Sequence, residues 1–384
     1  MIDEGALSVE LLLGRHAIER VAVTSTRPRA ATAVLEGRSL AEALRLTPLM
    51  FSLCGTSHAL AVLEAAETAL GIELSDEQHA ARALIAAAEV MEGHSFTLLL
   101  DWPHLVGEAP VPRAHASIRR QIARLHRALY PDGDALRLGG GRLAPRREVL
   151  EGVVGLLGQL VDQHILGESG RRFPLKGGQI EAWAEGGATP AARVLAAALC
   201  EPDDRSDAVT LLPSLDAAWF GERLKAGIGF ALAPAFHDAP AEAGPLARMQ
   251  HSPLVRAVSE RHGHSPVARM TARLVELAEL YASLEAYVAA LAPSAPLDVD
   301  ASGSGSGAGV AIASRGPLAY WLELERGRVA RLRNVAPTEW NFHPAGALAR
   351  SLEGTPAEGA ERRAELVVAS LDPCVPCQVE VARA

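Results

Sequence analysis

The sequence predicts a mainly helical α+β protein with a small β portion. Long Ala- and Leu-rich stretches fill the middle of the chain, and alternating apolar residues occur near its ends. The chain has 384 residues, of which 49% are hydrophobic. A chain of this length and composition can bury a substantial core, so a globular protein is expected.

The first 30 residues predict a small β element. Apolar residues alternate over 7–13 and again over 18–24, which is the period of a half-buried strand. Gly14, Arg15 and His16 lie between the two stretches and predict a turn.

Residues 50–292 are predicted to be mainly helical. An Ala- and Leu-rich run begins at Ser57 and ends at Leu70, where Gly71 provides a glycine stop. Further helices are predicted over 76–91, 117–130, 147–163, 190–200 and 267–291.

A glycine- and serine-rich run covers residues 301–309, and its composition predicts a flexible linker. The alternative is a close-packed segment that brings Arg315 to a ligand, because the run leads directly towards that arginine. Strand-like stretches at 320–325 and 328–333 flank Arg326-Gly327. Residues 310–384 are therefore predicted to form a β hairpin followed by a C-terminal cysteine-bearing segment.

Charge and composition exclude several classes of function. The formal charge of -9 has no long block of one sign, which argues against nucleic acid, because phosphate binding needs clustered Lys and Arg. Acids follow Met1 where an export signal would be basic, and no apolar run reaches the roughly 18 residues of a membrane span. Four cysteines in so long a chain do not indicate a disulfide framework. We expect a soluble protein in the reducing cytoplasm.

Three of the cysteines lie in two short segments, Cys54-Gly-Thr-Ser-His58 and Asp372-Pro-Cys374-Val-Pro-Cys377. Each segment is predicted to start a helix. With Asp372 as N-cap, Cys374 and Cys377 would share one face near the positive helix end, which favours thiolates. Because Pro376 disfavours helical backbone at the preceding residue, an irregular turn is an equal alternative.

Thiolates suit soft metals such as low-valent iron, zinc and copper(I), and the residues alone do not choose among them. Cys54, His58, Cys374 and Cys377 would satisfy a structural zinc site, although more than 300 residues separate its halves. A dithiol redox pair at Cys374 and Cys377 is another alternative, but no βαβ pattern precedes it. Cys200 ends an Ala-rich run and is predicted to be a buried core residue.

Both cysteine segments resemble the metal motifs of nickel-iron hydrogenase large subunits. The first is similar to R-x-C-G-x-C-x-x-x-H-A-x-A, with Cys54 at the second cysteine, Phe51 at the first and Leu49 at the arginine. The second is similar to D-P-C-x-x-C-x-x-H, with Glu380 in place of the histidine. Further family motifs resemble residues 266–273, 314–318 and 335–341, and more weakly 3–5. The resemblance therefore covers nearly the whole chain in the family's order.

The resemblance implies an iron site beside a damaged nickel site. In the family, four cysteines hold the two metals, and the second cysteine of each pair bridges them. Carried over, Cys54 and Cys377 are the iron ligands, whereas Cys374 is a nickel-type ligand whose partner position holds Phe51. The family's iron bears two cyanides and one carbon monoxide, and nickel is not expected here.

Four other residues receive roles from the same resemblance. Arg315 and Thr338 match the family's hydrogen-bond donors to the cyanides, and a buried anionic ligand needs such donors. His58 would orient the Cys54 thiolate without binding metal, or be an ordinary core histidine. Asp372 would cap the last helix or interact near the open metal position. Glu4 is interpreted as a solvated terminal acid.

The resemblance implies one mixed domain over residues 1–384 with a large-subunit-like fold, and a maturation role of the HupK/HoxV type in place of catalysis. The implied cargo is an iron group carrying two cyanides and one carbon monoxide, held for transfer to the hydrogenase large-subunit precursor. Implied partners also include maturation proteins of the HypC/HypD type. Two alternatives remain open: a divergent hydrogenase large subunit with altered ligation, and a structural zinc-binding interaction protein.

Overall fold

Helices make up most of the protein in a computed structural model that describes residues 5–28, 31–167, 173, 179–201 and 209–383. Glu4 lies outside these residues. The α-helices, numbered α1 to α15 in chain order, are Leu40–Met50, Gly55–Leu70, Asp76–Phe96, Pro112–Leu129, Arg147–Val161, Gln179–Gly186, Pro190–Leu199, Ala217–Ala226, Ile228–Leu232, Pro245–Met249, Pro253–His262, Pro266–Ala290, Pro337–Asn341, Ala347–Leu352 and Ala360–Leu371. Short 3-10 helices occur at Ala31–Leu35 and Trp102–Val106, and π-helical turns at Thr97–Asp101 and Asp162–Leu166.

The strands, numbered β1 to β8, are Leu7–Leu13, Ile18–Ser25, Thr210–Leu211, Ala241–Glu242, Gly305–Ala313, Gly316–Glu325, Arg328–Val335 and Cys377–Arg383. One sheet has the order β2-β1-β8, with β1 antiparallel to β2 and parallel to β8. A second sheet is the antiparallel meander β5-β6-β7, and β3 pairs with β4. The predicted strands near the N-terminus and the predicted hairpin at 320–333 are confirmed.

The helical core is built around α3 and α12, which pack against each other and against α4 and α5. The helices predicted over 57–70, 76–91, 117–130, 147–163, 190–200 and 267–291 are confirmed as α2, α3, α4, α5, α7 and α12. Two stretches, Asp76–Val106 and Arg147–Leu166, are long and apolar enough to cross a membrane, but 67% and 44% of their most apolar windows are buried. Both pack into the helical core, which is consistent with a soluble protein.

The linker prediction for residues 301–309 is wrong, because most of this run belongs to β5, which packs directly on α2. A Cβ atom would lie 2.1–2.3 Å from a helix carbonyl oxygen at Gly305, Gly307 and Gly309, which face Ala69, Ala65 and Ala61. Four residues of helix rise about 6 Å and two residues of strand about 6.8 Å, so the two repeats stay in step. Glycine therefore permits a backbone contact that no other residue fits.

The last cysteine segment follows a helix and does not start one. Helix α15 ends at Leu371, Asp372 adopts a left-handed conformation with φ 58°, and residues 373–376 turn into β8. The predicted N-cap role of Asp372 and the shared helix face of Cys374 and Cys377 are therefore wrong, and the irregular turn is confirmed. The prediction that Cys200 is buried is also wrong, because it is exposed at the end of α7.

Candidate metal centre

Two thiols from opposite ends of the chain meet at one small cavity. Cys54 immediately precedes α2, and Cys374 lies in the turn between α15 and β8. Both line a cavity of about 20 Å³ together with Arg315 and Thr338, which we call the inner cavity. Its volume suits about one water molecule. Thr338 Oγ1 lies 3.1 Å from the Cys374 sulfur, within hydrogen-bond reach.

Cys377 does not line the inner cavity. As the first residue of β8 it lines a neighbouring cavity of about 540 Å³, which we call the outer cavity and which Asp101, Asp372 and Cys374 also line. Cys374 thus borders both cavities. Among the described residues, no three or more His, Cys, Asp or Glu side chains are arranged to hold a metal ion. The structure brings together Cys54 and Cys374, but not the complete set of three cysteines and His58.

The N-terminus of α2 is capped by a carboxylate. Glu89 Oε1 accepts a hydrogen bond from the Thr56 amide at 2.7 Å, and Oε2 accepts one from the Ser57 amide at 2.7 Å. The Glu89 carboxylate therefore neutralises the partial positive charge of the α2 N-terminus beside Cys54. Burial raises the pKa of the Cys54 thiol well above its usual range, and the charges of Cys374 and Glu89 raise it further. The start of α2 therefore does not favour a thiolate at Cys54, and metal binding would have to displace the thiol proton.

Burial has the same effect on Cys377, whose pKa it raises to about 11. This cysteine is the first residue of a strand, so it is not at the N-terminus of a helix that would stabilise a thiolate. Both proposed iron ligands are thus thiols at neutral pH in the absence of metal.

His58 is held by two aromatic side chains. Its Nδ1 lies 2.6 Å from the Tyr320 hydroxyl, and its ring stacks on Phe51 with centroids 3.4 Å apart and planes 5° apart. Burial lowers the pKa of His58 well below its usual range, with the charge of Arg27 adding to the effect, so the imidazole is neutral. The ring lines the inner cavity, but its hydrogen-bond contact is with Tyr320. Phe51 thus provides a packing surface for His58.

Arg315 reaches the inner cavity from the junction of β5 and β6. Its Nε donates to the Asp372 carbonyl at 2.9 Å, and its Nη2 donates to Asp372 Oδ1 at 3.0 Å. The Asn341 side chain donates to the Arg315 carbonyl at 3.0 Å. With only 4% of its surface exposed, the guanidinium is fixed in direction as well as buried.

Asp372 is the acceptor that joins Arg315 to the helical core. Arg273 Nη1 donates to its Oδ2 at 2.9 Å, and the Thr97 hydroxyl lies 3.1 Å from both carboxylate oxygens. Burial alone would raise the pKa of Asp372, but the charges of Arg315 and Arg273 prevail and hold it below its usual range. Asp372 is therefore an ionised hub at the wall between the two cavities.

The ion network continues away from the cavities. His94 Nδ1 contacts Arg273 at 3.0 Å, and its Nε2 lies 2.7 Å from Glu276. Arg248 donates to both oxygens of Glu276 at 2.5 and 2.7 Å, and to the Ser314 carbonyl at 2.9 Å. Burial lowers the pKa of His94 to about 4, so it bridges these groups as a neutral ring.

The sequence did not identify Thr97, His94, Arg248, Arg273 or Glu276 as site residues. Their common signal is a polar or charged residue within an apolar helical run, as at Arg273 in α12, which also lies in the motif-like stretch 266–273. Such residues usually need buried partners, but the sequence does not show where those partners lie.

Asp101 is expected to reduce stability at neutral pH. Burial raises its pKa to about 6, and the nearby charge of Asp372 adds to the effect. The folded carboxyl therefore holds its proton to a higher pH than the unfolded one, and its ionisation destabilises the fold between about pH 4 and pH 6. We expect Asp101→Asn to increase the free energy of unfolding by about 1–2 kcal/mol above pH 7, allowing for partial exposure.

Urea unfolding of both proteins between pH 4 and pH 8 tests this. The gain in the free energy of unfolding should shrink to nearly zero at pH 4, where residue 101 is uncharged in the folded state of both proteins. Asp132→Asn is a matched control, because Asp132 is 53% exposed and pairs with an exposed Arg142. A gain that does not change with pH would contradict the assignment.

Part of the chain matches a known family model, and curated relatives align with nearly all of it. Residues 222–380 match the family model described as nickel-dependent hydrogenase. The hydrogenase expression/formation protein HupK of Rhizobium leguminosarum bv. viciae is 28% identical, covering 100% of this chain and 98% of the relative. The hydrogenase expression/formation protein HoxV of Cupriavidus necator is 29% identical, covering 94% of this chain and 92% of the relative.

The fold is that of a hydrogenase large subunit. The Ni-Fe-Se hydrogenase from D. vulgaris Hildenborough in its reduced state superposes with a TM-score of 0.72, at 14% identity, over 95% of both chains. This match confirms the predicted mainly helical α+β fold.

Proposed function

We propose that this chain serves hydrogenase maturation as a temporary holder of an iron group, because residues 222–380 match the nickel-dependent hydrogenase family model and nearly the whole chain is similar to hydrogenase formation proteins. The group carries two cyanides and one carbon monoxide and is cargo, not a resident cofactor. In the loaded protein Cys54 and Cys377 are its thiolate ligands. The chain itself is not an enzyme in this proposal.

One observation carries the proposal. Cys54 and Cys374 face a single buried cavity whose wall includes the Arg315 guanidinium and the Thr338 hydroxyl. Thiolates are suitable ligands for low-valent iron, and the two donors match the needs of buried cyanides. For Cys377 to join Cys54, its side chain has to turn inward past Cys374, because it faces the outer cavity here.

Charge supports an anionic cargo. Iron(II) with two cyanides and two thiolates carries two negative charges, which are costly to bury without compensation. The network beside the cavity contains three guanidiniums, Arg248, Arg273 and Arg315, against the two carboxylates of Glu276 and Asp372. Nε and Nη2 of Arg273 are also buried without an acceptor among the described residues. The three guanidiniums thus outnumber the two carboxylates, which leaves a net positive charge in the network beside the cavity.

The incomplete set of thiols supports temporary binding of the iron group. Phe51 stands where the family has a nickel ligand, and its ring is engaged in stacking on His58. We therefore propose that nickel is not bound and that the iron group passes to the hydrogenase large-subunit precursor. Delivery by maturation proteins of the HypC/HypD type, in the cytoplasm where thiols stay reduced, belongs to the same proposal.

Infrared spectroscopy with metal analysis tests this function. The protein is purified anaerobically from a host that expresses hydrogenase maturation proteins. We expect cyanide and carbonyl bands with iron and without nickel. Cys54→Ser and Cys377→Ser should abolish retention, because serine cannot supply a thiolate, whereas Cys374→Ser should lower occupancy without abolishing it.

Cys200→Ser is the matched control, since Cys200 is exposed and lies outside both cavities. Equal retention of cyanide in all four variants would contradict the ligand assignment. Zinc without cyanide bands would support a structural zinc protein, and nickel with hydrogen uptake would support a divergent hydrogenase.

A further inference from the structure

Cys374 lies in the wall between two cavities of very different size. The inner cavity, with Cys54 and Arg315, has a volume of about 20 Å³, whereas the outer cavity, with Cys377, has about 540 Å³. We propose that the outer cavity receives the iron group first and that Cys374 is its loading thiol. The group binds Cys374 and Cys377 there and then exchanges Cys374 for Cys54. This inference rests on the proposed function.

Size determines the order of events. An iron atom with three two-atom ligands needs the space of three or more water molecules, roughly 30–45 Å³ when each water takes about 10–15 Å³ of cavity volume. The inner cavity, at about 20 Å³, is too small to admit the group as it stands, but the outer cavity, at about 540 Å³, accepts it without rearrangement. The group therefore meets Cys374 and Cys377 before it reaches Cys54, and the inner cavity must widen as it enters.

Charge gives the movement its direction. The carboxyl groups of Asp101, Glu361 and Glu365 line the outer cavity, and they repel an anionic iron group. The Arg315 guanidinium and the Thr338 hydroxyl line the inner cavity and attract it. The group is thus held weakly where it arrives and more strongly where it comes to rest.

The bond changes balance without any redox step. On arrival, iron–sulfur bonds to a thiolate-bearing donor break and bonds to Cys374 and Cys377 form, while their two protons pass to the departing thiolates. In the second step the bond to Cys374 breaks and a bond to Cys54 forms. The Cys54 proton moves to the Cys374 sulfur, which lies within hydrogen-bond reach of the Thr338 hydroxyl. The iron keeps its oxidation state throughout.

Separate measurement of loading and release tests the loading role. The metal-free protein is mixed anaerobically with a synthetic iron(II) complex that carries two cyanides, one carbon monoxide and exchangeable thiolates. Infrared bands of the protein-bound group are followed in time, and release is followed after gel filtration. Cys374→Ser should load about tenfold more slowly or worse, because it lacks a nucleophilic thiol, yet reach the same band positions and release the group at the unmodified rate.

Two further variants make the result decisive. Cys54→Ser should gain bands at the unmodified rate and then lose them on gel filtration, whereas Cys200→Ser should behave as the unmodified protein. Circular dichroism and a Cys374→Ala variant guard against a folding defect. Unmodified loading by Cys374→Ser, or faster release with shifted bands, would overturn the loading role. An unmodified protein that gains no bands would overturn the proposed function and this inference together.

Discussion

Replacing Asp372 with alanine is expected to lower the free energy of unfolding by about 3–5 kcal/mol, because it leaves two buried guanidiniums without their shared carboxylate. Arg273 and Arg315 are almost fully buried and contact Asp372 at 2.9 and 3.0 Å. Neither can reach water to recover its lost hydration. Urea unfolding at pH 7 measures the loss of stability. The infrared bands of the loaded protein should weaken as well, because Arg315 loses the carboxylate that fixes its orientation.

A control and a partial rescue separate charge burial from simple loss of contact. Asp132→Ala removes an exposed ion pair and should cost less than about 1 kcal/mol. Adding Arg273→Met to Asp372→Ala removes one of the two stranded charges and should recover part of the stability. If Asp372→Ala cost no more than the control, the ion network would not be the buried hub described above.

Much of the fold was predictable because its signals are local. The helix that starts near Ser57 has a long apolar run and a glycine stop, and the observed C-cap is Gly71 in a left-handed conformation. The β2 and β7 strands likewise follow from alternation and from turn residues. These features need no information about distant parts of the chain.

The errors lie where distant contacts decide the outcome. Residues 305–309 form a strand because α2 provides a surface with small residues at matching intervals, which composition alone does not show. Strand β8 forms because β1 offers a parallel edge. Asp372 has the sequence neighbours of an N-cap residue. Its actual partners, Thr97, Arg273 and Arg315, lie on other elements, which the local sequence does not show.

The candidate site was predictable in its parts but not in its grouping. Cys54, Cys374, Arg315 and Thr338 were identified from motifs and line one cavity. Cys377 was expected beside Cys54 but faces the outer cavity. The separation depends on the turn at 373–376, whose course is set by the Asp372 ion pairs and the pairing of β8. A motif gives the residue types of a site, and the turn determines which of them meet.

Gly307→Ala is expected to reduce the free energy of unfolding by about 3 kcal/mol or more, because the new methyl group overlaps backbone atoms that cannot move independently. Its Cβ would lie 2.3 Å from the Ala65 carbonyl oxygen and 2.5 Å from the Ala69 nitrogen. Gly155→Ala in α5 is the matched control, since its Cβ meets nothing within 4 Å. That control should gain about 0.5–1 kcal/mol from helix propensity.

The size of the Gly307→Ala effect also separates strand from linker. In a flexible linker, alanine would restrict the folded and the unfolded chain about equally, so the free energy of unfolding would change little. In the packed arrangement, relief of the overlap has to push β5 away from α2. Cys54 precedes α2 and Arg315 follows β5, so this displacement widens the gap between a proposed iron ligand and the proposed cyanide donor. We therefore expect Gly307→Ala to weaken retention of the iron group as well as the fold, and Gly155→Ala to leave retention unchanged.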